Sequence, residues 1–436
     1  MGKLSISKFG GVVAVCTAIV IAPLAFAGEP RPIPTLYSTD MVDAQLAEVL
    51  VEEAADAGTT ASGLPIVTPF NDDMVNIENI VGDGEGVYVA VLDTGVLPAA
   101  PFFFSDANIA WGLGKGFSHD VTWNDDIQGF EIGPLKDDRG IATELASGHG
   151  THVASTVVGF NLNNQVWIHG IAPKATVIPV LVLDAWELII PGTGVVGRVS
   201  GGTDEMISAG IRYVADLAEG VLAGSRVVIN MSLGGSGRSP MIEAAVDHAI
   251  SKGVVVVASA GNAGTDGMGY PGGLPQIISA AAAGWSTMLG YGWAADVPEK
   301  TNSNDALGNN TQYYLENFSS RPLKALGQKH KDLDVAAPGA KVVGPYKSAF
   351  AENTGYYFLS GTSMAAPHVS AIAAMLVGSE PSLSHSDVER RLRNAGHGNP
   401  LPADGATVIE FDGLGSASWN GGDYGTGFLQ ADHVVN

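Results

Sequence analysis

Val87-Tyr88-Val89-Ala90-Val91-Leu92 is a short run with no charged or turn-forming residue, and it stops abruptly at Asp93-Thr94-Gly95. A strand apolar on both faces has to be covered on both faces, which is the condition inside a parallel sheet. Comparable runs recur at 175–183, 226–231, 253–258 and 276–281, with helical patterns between them at 149–159, 204–219 and 239–251. The alternation predicts an α/β, three-layer sandwich: a mostly parallel central sheet with amphipathic helices on both sides. Working sites in such sheets lie at the carboxyl ends of the strands. Polar residues occupy those ends here, with Asp93 after one run, Ser232 after another and Asn262 after a third.

A second stretch carries the chemistry: Leu359-Ser360-Gly361-Thr362-Ser363-Met364-Ala365-Ala366-Pro367-His368, continuing into Val369–Val377. An apolar helix starting just after a Gly-Thr-Ser turn puts Ser363 at its N-terminus. The first backbone N–H groups of a helix lack intrahelical partners, and the dipole favours negative charge there. A hydroxyl held at that point lies beside donors able to steady an oxyanion. Pro367 has no N–H to offer the carbonyl of Ser363, so the first turn is predicted to be unusual. An isolated Gly-x-Ser is more often an ordinary helix cap; its company in the rest of the chain argues otherwise.

The 436 residues carry a formal charge of −23. Residues 1–27 read as a secretory signal, with Lys3 and Lys8 at the positive end, an apolar centre from Val12 to Ile21, and Ala25-Phe26-Ala27 as cleavage site. Pro23 and the short span argue against a membrane anchor, so no stable membrane insertion is expected. Removal takes two lysines and no acid, leaving −25. That acidity speaks against nucleic acid or an anionic membrane as partner. The one cysteine, Cys16, falls within the signal; the mature chain has no disulfide, no thiol chemistry and no Cys-ligated metal. Residues 28–76 form an N-terminal segment, either a short pro-segment or a clasp on the main domain, with a helix that places Val42, Leu46, Val49 and Leu50 on one face. The main domain is assigned to 77–436. Regions 184–203, 285–316 and 397–424 read as long loops.

Four signals occur in one order. Asp93 lies in Val91-Leu92-Asp93-Thr94-Gly95, His149 in Gly148-His149-Gly150-Thr151-His152, Asn262 in Ala260-Gly261-Asn262-Ala263-Gly264, and Ser363 in the helix start. They supply an acid, a base, an amide donor and a hydroxyl, and they are too far apart in sequence to meet except through the fold. A serine hydroxyl is a weak nucleophile until an imidazole takes its proton. A carboxylate on the other ring nitrogen fixes the imidazole tautomer. An amide N–H then stabilises the oxygen that becomes negative.

These motifs, in this order, resemble those of the subtilisin-like (subtilase) serine peptidases. Ile229-Asn230-Met231-Ser232-Leu233-Gly234-Gly235, Gly170-Ile171-Ala172-Pro173, Tyr270-Pro271-Gly272, Asn317-Phe318-Ser319-Ser320 and Ala337-Pro338-Gly339 extend the resemblance over roughly 77–436. It implies a subtilisin-like fold and an Asp-His-Ser triad in which Asp93 orients His149, His149 is general base and Ser363 nucleophile. Asn262 is implied as the side-chain oxyanion donor. Ser232, Leu233 and Gly234 would pair with substrate backbone as an added strand, while Gly235 and Ala260-Gly261 would border the pocket for the residue before the cut. The implied protein is a monomeric serine endopeptidase, secreted to an extracellular or periplasmic space and acting on polypeptides through an acyl-enzyme. No cofactor is needed for that chemistry; structural calcium is a family trait, but no run has a readable calcium-loop spacing and no ligand is named.

Rival readings are a serine esterase or lipase and a non-catalytic peptide-binding relative. The esterase fold orders its triad Ser, acid, His, whereas the order here is Asp, His, Ser. His152, three residues after His149, invites a metal pair, but no zinc-type Glu follows and the reading is a packed core histidine. His368 is likewise read as structural. After Asp93-Thr94-Gly95-Val96 the chain has Leu97-Pro98-Ala99-Ala100-Pro101 where the family often has His-Pro.

Overall fold

The computed structural model describes residues 12–13 and 59–435, apart from 61, 81, 125–128, 143–147, 190–195, 287–312, 348–353, 402–406 and 410–415. The expected signal at 1–27, residues 12–13 excepted, and the expected helix over 42–50 lie outside them.

The strands predicted from apolar runs form one mixed sheet. Its members are β1 (Val87–Asp93), β2 (Lys115–Asn124), β3 (Gly129–Arg139), β4 (Thr176–Leu181), β5 (Arg226–Met231), β6 (Val255–Ser259), β7 (Ile278–Trp285), β8 (Tyr313–Leu315) and β9 (Val335–Pro338). They run in the order β8-β7-β6-β5-β1-β4-β2-β3, with β9 also on β7. The pairs β1·β5, β5·β6, β6·β7, β7·β9, β1·β4 and β2·β4 are parallel; β2·β3 and β7·β8 are antiparallel. The parallel centre is thus closed at each end by an antiparallel strand.

Strand side chains alternate between two cores, as a period of two requires. Val89, Val91, Val228, Val255 and Val257 face one core, shared with α1 (Gly148–Val158) and α4 (Thr362–Ser379). Ala90, Leu92, Ile229, Met231, Val256 and Ala258 face the other, shared with α2 (Asp204–Glu219) and α3 (Pro240–Ser251). Complete burial of each Val or Ile contributes about 1.5–3 kcal/mol, so a two-sided sheet of this size holds together without crosslinks.

The helices differ from expectation on one side. α2 and α3 are amphipathic, but α1 is buried along its whole length and α4 from Thr362 to Val377. The cause is a further layer: the hairpin Val342–Tyr346/Gly355–Leu359 lies over α1, and α5 (His385–Gly398) adjoins α4. Region 184–203 is also not irregular, since Asp184–Ile189 and Val196–Thr203 pair antiparallel, with Trp186 opposite Val199. Its β-prone residues flank a Pro-Gly-Thr-Gly sequence at 191–194 suited to a turn. Within 285–316 and 397–424 the described parts hold β8 and a short pair, Thr407–Ile409 with Ser416–Ser418.

The described part of the N-terminal segment is built into this body. Phe70, Met74 and Val75 are buried in the α1/α4 core, Phe70 stacks on Trp285, and the Val75 carbonyl accepts the Ala431 N–H at 2.8 Å.

Candidate active site

Asp93 closes β1, and the turn after it is shaped to receive α1. Gly95 has φ +71°, and a Cβ there would lie 2.1 Å from the Ile141 carbonyl oxygen. A Cβ on Gly150 would come within 2.1 Å of the Gly95 oxygen. Only a helix with a bare backbone at 150 can approach so closely. The contact is then stitched by two threonines: Gly150 N–H donates to Thr94 Oγ1 at 2.9 Å, and Leu97 N–H to Thr151 Oγ1 at 2.8 Å. One of the N–H groups at the start of α1 is satisfied in this way.

The approach delivers His149 to Asp93. Nδ1 lies 2.8 Å from Oδ1 and 2.9 Å from Oδ2, with both side chains fully buried. The carboxylate only accepts, so Nδ1 carries the hydrogen and the neutral ring keeps its lone pair at Nε2. Asp93 Oδ1 also accepts the Thr94 N–H at 2.7 Å. Nε2 has no hydrogen-bond partner among the described residues.

Ser363 sits on the first turn of α4, as expected. Gly361 N–H donates to the Gly339 carbonyl at 2.8 Å, and a Cβ on Gly339 would lie 2.4 Å from Ala282 Cβ. The carbonyl of Ser363 that Pro367 leaves without a helical donor is taken by the Ser232 hydroxyl at 2.7 Å. In return Ser363 Oγ donates to the Ser232 carbonyl at 3.2 Å. Ser232 is itself fixed by Asn230 Nδ2 at 3.0 Å, whose oxygen accepts from Ser370 on α4 at 2.8 Å. Ser363 and His149 therefore do not hydrogen-bond to each other; the hydroxyl rests on a backbone carbonyl.

Asn262 reaches the same helix start from the end of β6. Its Oδ1 accepts the Thr362 N–H at 2.9 Å and the Thr362 hydroxyl at 2.8 Å, and Thr362 Oγ1 accepts the Gly261 N–H at 3.1 Å. A backbone N–H can only donate, so the amide oxygen must face Thr362 and Nδ2 lies on the other side. A Cβ on Gly361 would lie 3.5 Å from that Nδ2, so a bare backbone there leaves the carboxamide room.

Of the expected substrate-edge residues, Leu233 is buried in the α2/α3 core, and its carbonyl accepts the Ser259 hydroxyl at 3.3 Å. Gly234 and Gly235 are half-buried, and Ala260 is buried beside half-buried Gly261. A third run joins them, ending at the Tyr270 quoted above for the resemblance but not assigned there to the substrate edge. Gly235 and Tyr270 exchange two backbone hydrogen bonds of 2.8 Å, and Gly269 N–H donates to the Ala260 carbonyl at 2.8 Å. Thr94, Thr362 and Gly150 were likewise missed as contributors, although each is the immediate neighbour of a motif residue.

Comparison with known proteins agrees. Residues 84–413 match the sequence model of the Subtilase family. The chain belongs to the subtilase family. It is 30% identical over 340 residues to subtilisin DY of Bacillus licheniformis, which covers 77% of this chain and 91% of that protein. It is also 30% identical to a subtilisin of Bacillus sp. (strain TA39), covering 73% of this chain but 63% of that relative's length. Among solved structures it is similar to Sphericase, at TM-score 0.55 and 28% identity over 83% of this chain and 97% of that one.

The two other histidines near the motifs of this subtilase, His152 and His368, are held by structure. His152 Nε2 donates to the Val342 and Tyr357 carbonyls at 3.1 and 3.2 Å, and burial together with the neighbouring His149 lowers its pKa to about 3. His368 donates through Nδ1 to the Met364 carbonyl at 2.8 Å and accepts at Nε2 from Asn71 at 3.0 Å, with its pKa lowered to about 4 by burial. Asn71 thereby ties the N-terminal segment to the helix bearing Ser363. Among the described residues no three His, Cys, Asp or Glu side chains gather as a metal site would require, so no calcium ligand is assigned. No described helix is long and apolar enough to cross a membrane.

Proposed function

We propose that this subtilase is a secreted endopeptidase that cleaves polypeptides by acyl transfer from Ser363. The observation that carries the proposal is the buried Asp93–His149 pair, whose outer nitrogen has no hydrogen-bond partner among the described residues. On substrate binding, Ser363 Oγ leaves the Ser232 carbonyl and gives its proton to His149 Nε2 as it attacks the scissile carbonyl. Catalytic hydrogen bonds are often long or unmade in a free enzyme and tighten with substrate. The oxygen made negative is received by Asn262 Nδ2 and the backbone N–H at the start of α4. Imidazolium then protonates the leaving amine, and water repeats the sequence to release the acid.

Substrate backbone is proposed to lie as an added strand along Ser232-Leu233-Gly234, with Gly235 and Ala260-Gly261 bordering the pocket for the residue before the cut. Partners are polypeptide substrates, the enzyme acts as a monomer, and the chemistry draws on these side chains alone. Purified Ser363→Ala should lose casein hydrolysis by at least about 10⁴-fold and take no label from a serine-directed fluorophosphate, while melting like the wild type. Retained hydrolysis in that variant overturns the assignment.

A further inference from the structure

The run Met268-Gly269-Tyr270 makes the third side of the slot beside Gly235 and Ala260. A Cβ at Gly269 would point into that space, with its nearest neighbours the Gly235 oxygen at 3.5 Å and the Ala260 oxygen at 3.7 Å. Whatever sets the position of this run sets the width of the slot. Its inner side is tied by its bonds to Gly235 and Ala260, its Gly269 carbonyl takes the Gly273 N–H at 2.7 Å, and a side chain braces Met268 from outside.

That side chain is Gln328, which is 4% exposed. Its Oε1 accepts the Met268 N–H at 2.8 Å and the Leu323 N–H at 3.0 Å. Its Nε2 donates to the Met268 carbonyl at 2.8 Å and to the Tyr270 hydroxyl at 3.4 Å. One carboxamide therefore answers both backbone groups of Met268, as a neighbouring strand would. Its fit is close: a Cβ on Gly267 or on Gly273 would lie 3.2 Å from the Gln328 amide. The residue stands at the end of an exposed loop closed upon itself, with the Gln328 N–H on the Leu323 carbonyl at 3.3 Å.

We propose that Gln328 is a positioning residue for specificity: by holding Met268–Tyr270 against Gly235 and Ala260 it fixes which side chain the slot admits before the cut. It touches neither substrate nor reacting atoms, and no other residue type supplies this set of bonds. Asn is too short to span them, Glu has no donor when ionised, and Leu or Met leaves the buried Met268 groups unpaired. Loss of the brace widens the slot, so discrimination between small and large residues weakens while the acid, base and nucleophile are undisturbed.

The inference rests on the peptidase reading and is tested on the full chain with Gln328→Met and Gln328→Glu. Peptide substrates differing only in the residue before the cut (Ala, Leu, Phe) are compared for kcat and KM, together with labelling by a small fluorophosphate and the melting temperature. The expected result for Gln328→Met is a tenfold or larger change in the ratio of kcat/KM values across the series, carried by KM, with labelling rate within twofold of wild type. For Gln328→Glu, selectivity should return toward wild type as pH is lowered and the acid regains a donor. A uniform fall for all substrates, or an unchanged ratio in both variants, overturns the role of Gln328 and leaves the peptidase reading intact. A wild-type protein that neither cleaves the series nor takes the label removes the peptidase reading and this inference with it. Should Gln328→Met not fold, the pH dependence of Gln328→Glu decides alone.

Discussion

The two halves of the site are built on different terms. On the Asp93–His149 side, α1 is pressed onto the turn after β1 with no room for a side chain at Gly150, and the pair is bonded through both carboxylate oxygens. On the Ser363 side, the helix start is suspended by side chains from other strands, Ser232 and Asn262, and the hydroxyl rests on a carbonyl it must leave. The first half is preset; in the proposed mechanism the second completes itself only on substrate. A proton acceptor gains from being fixed, since the wrong tautomer is useless, whereas a nucleophile has to travel.

That difference predicts unequal failures. Gly150→Ala should be the most damaging change away from the reacting groups, because its Cβ would fall 2.1 Å from the Gly95 oxygen and α1 must retreat. Moving His149 off Asp93 amounts to losing the acid, which costs about 10⁴ in kcat. The melting temperature should fall as well, since the threonine bonds of the same contact are lost. Wild-type turnover and melting in Gly150→Ala would show that the two backbones can part without harm.

Asn262→Ala attacks the suspended half and should act differently. It removes the proposed oxyanion donor, for an expected loss of roughly 10²–10³ in kcat with KM little changed. Its oxygen also holds Thr362, but Gly361 stays on Gly339 and Ser363 on Ser232, so melting should shift by only a few degrees. A loss confined to KM would mean that Asn262 binds substrate and another group receives the oxyanion.

Legibility followed the same divide between pattern and contact. The central strands were readable because residues such as Val89, Ala90, Val91 and Leu92 are buried on both faces and leave an unbroken apolar run. The edge ribbon β2/β3 was not, since much of it meets water and Lys115, Asp120, Lys136 and Asp138 interrupt any run. α5 could have been found: Ser384 and Asp387 form a capping box, Oγ to N–H at 3.2 Å and carboxylate to N–H at 3.2 Å, ahead of Val388 and Leu392. The four motif residues announced themselves by type and order. Gly150, Thr94 and Thr362 did not, because closeness of backbones and the direction of a threonine hydroxyl depend on which turn meets which helix. Gln328, in a polar loop far along the chain from Met268, gave no signal at all.

The smallest effect concerns stability rather than rate, and it lies in three buried imidazoles outside the Asp93–His149 pair. His152, His368 and His385 hydrogen-bond to uncharged groups, with an Asp72 oxygen 3.8 Å from His368 Nε2, and burial lowers their pKa values to about 3, 4 and 4. Unfolded, each takes a proton near pH 6.5; folded, none does until the pH is far lower. The unfolded chain thus binds more protons between these limits, and stability must fall as pH drops from about 6.5 toward 4. His385 is the cleanest test, because it lies on α5 away from the site, with Nε2 on the Gln276 carbonyl at 3.0 Å and Nδ1 facing the Val256 N–H at 3.3 Å. His385→Gln should flatten the acid limb of the stability curve by up to roughly 3 kcal/mol at pH 4, leaving kcat at neutral pH within twofold. Glu389 on the same helix acts with the opposite sign: burial and Asp334 raise its pKa to about 6, so its contribution is present at low pH and lost as pH rises through that value. Chemical denaturation from pH 4 to 8 should therefore give a shallower acid limb for His385→Gln and a steeper one for Glu389→Gln. Parallel curves for both variants would mean that burial of these groups is relieved by water reaching them.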